Sequence, residues 1–281
     1  MKEGDLGLDC GWSLQGKVAI VTGAGSSGPG VGTGTAISVA LARAGAAVLL
    51  VDNVPERAAE TGALVEECGG QAERFTGDVS RPEECAAMVA AAADRFGRLD
   101  ILVNNAAITD HVSILDTTPD RFDEIVGVNL RGPFMASKYA IPLLIEAGGG
   151  SIVNIGSIAA IRDSGSTHPA YSSSKSALLG LTVDLAGAYG QDNIRVNAVL
   201  PGIIATPMAA AARAGRPDGT AGSDGRVGAN LLARRGDAWD VANVVVFLCS
   251  DAAAYLTGLV LPVDGGAVAA MPASHIIRFS S

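Results

Sequence analysis

Tyr171 and Lys175 stand four residues apart, fourteen residues after Ser157. A four-residue step places two side chains on one face of a helix, one turn apart. A phenol held beside a fixed ammonium gives up its proton more readily. Unit charges about 5 Å apart at an effective dielectric of about 20 interact by roughly 3 kcal/mol. That corresponds to about two pKa units, enough to bring a phenol from about 10 toward 8. Such a group suits proton transfer between a carbonyl and an alcohol. Taken alone, a tyrosine and a lysine at this spacing describe an amphipathic surface pair. The chemistry gains weight only if the rest of the chain positions them.

The surrounding pattern does so. Lys17–Thr22 (KVAIVT) is a short apolar run that stops at glycine, as a fully buried parallel strand reads. Thr33–Ala44 is Ala-rich and helical, with Gly45 as its terminating glycine. Ala46–Val51 predicts a second buried strand. Further helices are expected near 56–68, 82–96, 120–147, 170–189 and 238–250. Further strands are expected near 71–76, 99–103, 151–155, 194–200 and 258–263. Strict β–α alternation with right-handed crossovers gives an α/β fold: one doubly wound parallel β-sheet with helices on both faces.

Between the first strand and first helix lies TGAGSSGPGVGTG, residues 22–34. Glycines there allow a sharp turn and close approach to a pyrophosphate, and the helix N-terminus offers free N–H groups and partial positive charge. Asp52 ends the second strand, twenty residues after Gly32, where a carboxylate accepts hydrogen bonds from an adenosine ribose. The same charge repels the extra phosphate of NADP, and Asn53 beside it is not basic, so NAD is the expected cofactor. Arg57 is the nearest cation and works against that argument.

Composition bounds the rest. The 281 residues are 48% hydrophobic and 17% charged, ample for a buried core. Only 4% are aromatic while glycine numbers 36, so alanine, valine and leucine must build that core. A formal net charge of −9 argues against nucleic acid and anionic membrane as partners. Cys10, Cys68, Cys85 and Cys249 lack metal-ligand spacing and are too few for a disulfide scaffold, so no metal is expected. The N-terminus has no apolar run, which predicts no signal peptide, and no stretch is long enough to span a bilayer. A cytoplasmic protein is the expectation. Residues 1–13 read as an N-terminal arm, 14–268 as the single domain, and 269–281 as a tail. Residues 205–230 read as a substrate lid, above all 209–230, which hold five glycines and a proline. His111 and His168 read as exposed loop histidines that could face substrate, and His275 lies in the tail.

From about Leu14 to Val268 the chain resembles the short-chain dehydrogenase/reductase family, in its common single-domain type with a Rossmann fold. The resemblance rests on motifs in order: the glycine turn from Thr22-Gly23 to Gly30-Val31-Gly32, Asp78-Val79, Asn104-Asn105-Ala106-Ala107, Asn129, Ser157, Tyr171/Lys175, Pro201-Gly202 with Thr206, and Asp264-Gly265-Gly266. It implies Tyr171 as general acid/base, Ser157 as the hydroxyl holding the carbonyl oxygen, and Lys175 on the nicotinamide ribose. It implies Asn129 in a water-linked proton relay. It further implies a cofactor bed of Gly23, Gly25, Gly28, Gly30, Val31, Asp52, Asp78, Val79, Asn104, Asn105, Ala106, Tyr171, Lys175, Pro201, Gly202, Ile204 and Thr206.

The chain departs from the family's pattern in three places. Six residues separate Gly23 from Gly30 instead of three, Ala107 replaces a glycine, and the Ser157–Tyr171 gap is one residue longer. The resemblance implies an NAD(H)-linked oxidoreductase for a secondary alcohol or ketone, assembled as a homotetramer. Alternatives are an NADPH-linked 3-oxoacyl thioester reductase and a catalytically silent dinucleotide-binding scaffold.

Overall fold

Seven parallel strands lie side by side in the order β3-β2-β1-β4-β5-β6-β7. They are β1 (Val18–Thr22), β2 (Ala47–Asp52), β3 (Gln71–Thr76), β4 (Ile101–Asn104), β5 (Gly150–Ile155), β6 (Ile194–Pro201) and β7 (Val260–Val263). The structure, a computed structural model, describes residues 11–163, 167–214 and 230–270. The outer parts of the arm and tail, and lid residues 215–229, lie outside the described residues.

The expected doubly wound sheet is therefore observed, and its strands fall within two residues of their expected limits. The physical cause is visible in β1. Ala19 and Val21 belong to the core cluster on one face of the sheet, Val18 and Ile20 to the cluster on the other. Successive side chains alternate faces, so a strand covered on both sides must be apolar throughout. Helices α1 (Thr33–Arg43), α2 (Pro55–Glu67) and α8 (Ala238–Cys249) cover the first face. Helices α3 (Pro82–Phe96), α5 (Gly132–Glu146) and α6 (Pro169–Tyr189) cover the second. Ile20 is fully buried, and cutting it to alanine would cost about 2–5 kcal/mol.

Two elements differ from expectation. The stretch read as one helix over 120–147 is three pieces: α4 (Pro119–Val126), a π turn at Gly127–Arg131, and α5. The side chain of Asn129 sits in the π turn, where it accepts from Ile108 N–H and donates to Ile108 C=O, both at 2.9 Å. π turns commonly mark functional positions. The supposed loop from 209 begins inside a helix, α7 (Pro207–Ala214). Proline at its first position, with an alanine run behind it, is the signal for that start.

A buried polar chain joins β4 and β5. Asn104 donates to Asn154 Oδ1 at 2.8 Å, and Asn154 donates to Thr182 Oγ1 on α6 at 2.9 Å. Among the described residues, no helix is long and apolar enough to cross a membrane.

Candidate active site

Strand order reverses between β1 and β4, and there the loops after their C-terminal ends diverge and leave a crevice. A cavity of about 1050 Å³ runs from the glycine turn past β4 to α6. Its wall includes Gly23, Gly25, Asp52, Asp78, Val79, Asn105, Ala106, Ser157, Tyr171, Lys175, Pro201, Gly202, Ile204 and Thr206. Most of the expected cofactor bed is thus brought to one surface.

The dinucleotide end is shaped by close backbone contacts. A Cβ on Gly34, in the first turn of α1, would stand 1.9 Å from Gly23 O, so helix and strand meet only because residue 34 is glycine. Gly25 N–H donates to Asp52 Oδ2 and Val54 N–H to Asp52 Oδ1, each at 3.0 Å. The carboxylate is buried and held at the cavity wall by both of its oxygens. On the β4 side, Thr22 Oγ1 accepts from Asn105 N–H at 3.1 Å and Ala106 N–H at 3.2 Å. These residues fit a nicotinamide dinucleotide: a glycine bed for the diphosphate, a helix N-terminus behind it, and a fixed acid at the adenosine end.

Four expected contacts are not on this surface. Gly28, Gly30 and Val31, in the far part of the enlarged turn, do not line the cavity. A Cβ on Gly28 would meet Pro207 Cβ at 3.4 Å, so that part of the turn leans on the start of α7. Gly32, Thr33 and Gly34 line the cavity in their place. Asn104 points into the sheet, where its amide is used by Asn154.

At the other end, β5 delivers Ser157 and α6 delivers Tyr171 and Lys175. Ser157 has extended backbone, and its hydroxyl accepts from Ala159 N–H at 3.1 Å. Lys175 is buried, donates to Ile155 C=O at 2.7 Å, and sits 5.9 Å from the centre of the Tyr171 ring. Asn129 lies behind the wall, fully buried, and donates to Ser174 Oγ at 3.1 Å; Ser174 in turn donates to Tyr171 C=O at 2.7 Å.

The expected acidification of Tyr171 by Lys175 is corrected by these surroundings. Burial of the phenol pushes its pKa above the ordinary value, and the Ser157 hydroxyl beside it offsets part of that rise. Burial also pulls Lys175 down to about 8, so its charge is itself costly to keep. Burial is the leading cause at both groups, and at the phenol it is Ser157, rather than Lys175, that opposes it.

His168 corrects a second expectation. It is buried, at 9% exposure, and packs edge-on against Tyr171 with ring centres 5.4 Å apart. The histidine directly precedes α6, as its place before Pro169 implies, but its burial is a tertiary property. Among the described residues, no group of three or more His, Cys, Asp or Glu is arranged to hold a metal ion.

Comparison with known proteins agrees with this geometry. Residues 28–268 match the family profile described as Enoyl-(Acyl carrier protein) reductase. Levodione reductase of Leifsonia aquatica is 36% identical over 259 residues, covering 90% of this chain and 95% of the relative. The 3-oxoacyl-[acyl-carrier-protein] reductase FabG of Thermotoga maritima is 34% identical over 256 residues, covering 91% and 99%. The crystal structure of carveol dehydrogenase from Mycobacterium avium, in complex with NAD, superposes with a TM-score of 0.84 at 30% identity, covering 92% of this chain and 99% of that one. With fold, cleft and relatives in accord, the chain belongs to the short-chain dehydrogenase/reductase family, whose members are oxidoreductases that bind NAD(P).

Proposed function

We propose that this oxidoreductase moves a hydride between NAD(H) and a secondary alcohol or ketone, with Tyr171 as general acid/base. The observation that carries the reading is the placement of the Ser157 hydroxyl and the Tyr171 phenol together, at the opposite end of one cleft from Asp52. A reduced nicotinamide held in this cleft would supply the hydride to the carbonyl carbon. Negative charge then develops on the carbonyl oxygen. Ser157 Oγ–H stabilises it by hydrogen bonding, and Tyr171 Oη–H neutralises it by giving up its proton. The raised pKa keeps the phenol protonated, which is the form that reduction consumes. Lys175 would hold the nicotinamide ribose of a bound cofactor, and Asn129 braces the first turns of α6 through Ser174.

The preference for NAD rests on Asp52. Its oxygens are tied to two backbone N–H groups, so the charge cannot swing away from a 2′-phosphate. The likeness to solved relatives is neutral on this point: one holds NAD and two others hold NADP. Arg57, on the same wall, and the FabG relative favour the NADPH-linked 3-oxoacyl thioester reductase as a second reading.

Replacing Tyr171 with phenylalanine is the deciding experiment. Turnover of alcohols and ketones should vanish while NADH binding, followed by fluorescence, stays within about threefold. Persisting turnover would refute the mechanism. We further infer a homotetramer, supported by exposed Phe134, Ile145 and Val183 on α5 and α6, and testable by light scattering.

A further inference from the structure

Two imidazoles stand beside the proposed reacting centre with no part in the chemistry above. His168 directly precedes α6, and its C=O accepts from Ser172 N–H at 3.0 Å, which fixes its place against the first turn. His111 comes from the opposite wall, in the segment after β4, and its ring centre lies 5.5 Å from that of His168. Both line the cavity that holds Ser157 and Tyr171. Two separate parts of the chain therefore bring a His111–His168–Tyr171 row of rings to the substrate end.

An imidazole carries at least one N–H donor in every protonation state, and a bond made by one nitrogen fixes what the other offers. A carbonyl oxygen within about 3 Å of the Tyr171 and Ser157 hydroxyls places the adjoining carbon, and any group on it, near the ring that packs on Tyr171. That ring is His168. The same wall carries apolar Ile158, Met208 and Ala209, and Thr109, Arg162, Asp163 and Arg235 as further polar groups. Arg121, also on the wall, is committed to Asp110 at 2.9 Å and to Glu124 at 2.6 Å.

We propose that His111 and His168 recognise a second oxygen on the substrate, carried by the carbon next to the one that changes oxidation state. Preferred substrates are then α-oxygenated ketones and the corresponding vicinal diols. The inference rests on the oxidoreductase reading and refines it. A site that hydrogen-bonds a substrate oxygen discriminates against an analogue that lacks it, because a methyl in the hydroxyl's place cannot return that hydrogen bond.

The test compares 2-hydroxycyclohexanone with 2-methylcyclohexanone, which differ by a hydroxyl in place of a methyl of similar size. The wild-type kcat/KM should favour the hydroxyketone by about tenfold or more. In His111→Phe and in His168→Phe the ratio should fall to about twofold or less, whereas His111→Gln, which keeps a donor, should retain most of it. Folding is checked by NADH binding, and where a phenylalanine variant loses it, His111→Ala and His168→Ala carry the same comparison. An unchanged ratio in the phenylalanine or alanine variants, or a wild type that prefers the methyl ketone, overturns this inference and leaves the oxidoreductase reading standing. A wild type that turns over neither ketone, yet turns over other secondary alcohols in a manner abolished by Tyr171→Phe, also overturns this inference alone. Turnover that survives Tyr171→Phe sinks the underlying reading instead.

Discussion

Asp52 Oδ2 accepts a hydrogen bond from the backbone N–H of Gly25 at 3.0 Å, so the acid that ends β2 also closes the turn that follows β1. Cofactor selection and the shape of the phosphate bed share one side chain. Asp52→Ala should therefore do two things. It should weaken NADH binding and narrow any preference over NADPH, read from kcat/KM with each cofactor. It should also leave Gly25 and Val54 N–H groups unpaired, lowering stability by about 1–3 kcal/mol in urea melts. A strong initial preference for NADPH in the unmodified enzyme would contradict the assignment of NAD.

The glycine turn gives a contrasting pair. Gly34→Ala forces a methyl into Gly23 O, and no flexible side chain stands there to yield. It should cost about 3 kcal/mol and disturb NADH binding. Gly28→Ala meets only ordinary contact with Pro207 and should change stability by less than about 0.5 kcal/mol. Equal losses from both substitutions, in thermal melts and NADH titrations, would return Gly28 to the phosphate bed.

Lys175 makes cofactor binding depend on pH. Its pKa lies near 8 in the folded chain, against an ordinary 10.5, so the ammonium is lost as pH rises through about 8. NADH binding should weaken between pH 7 and 9, and Lys175→Met should bind weakly with a flat profile over that range. The sign for stability is the reverse. The unfolded chain holds the extra proton between pH 8 and 10.5, so this group's contribution rises with pH across that window and is lost below it.

Asn129→Ala removes the three hydrogen bonds that tie the π turn to Ile108 and Ser174. The buried groups it leaves unpaired should cost about 1–3 kcal/mol. Because Ser174 bonds the C=O of Tyr171, kcat should fall more than KM rises. A variant that loses stability with kcat intact would limit Asn129 to a structural role.

Much of this architecture is legible in the sequence because buried parallel strands have no polar face. Runs such as those of β1 and β2 have few other folded uses, and the glycine turn between strand and helix is similarly constrained. Ser157, Tyr171 and Lys175 could be picked out because spacing and order survive folding directly. What escaped the sequence is tertiary. The break at Gly127–Arg131 depends on the Asn129 side chain finding Ile108. The contact of Gly28 and Gly30 with Pro207 joins residues remote in the chain. The acidity of Tyr171 depends on how much water its neighbours exclude, and charge spacing alone gave the opposite direction.

Asn104 and Asn154 are register partners on β4 and β5, three residues before Ser157. A slip of one residue would set Ile155 opposite Asn104 and leave amide groups stranded in a dry interior. Apolar neighbours alone would tolerate such sliding far better. The paired amides act as a ratchet tooth, and they set how far along the sheet's rim the serine hydroxyl emerges.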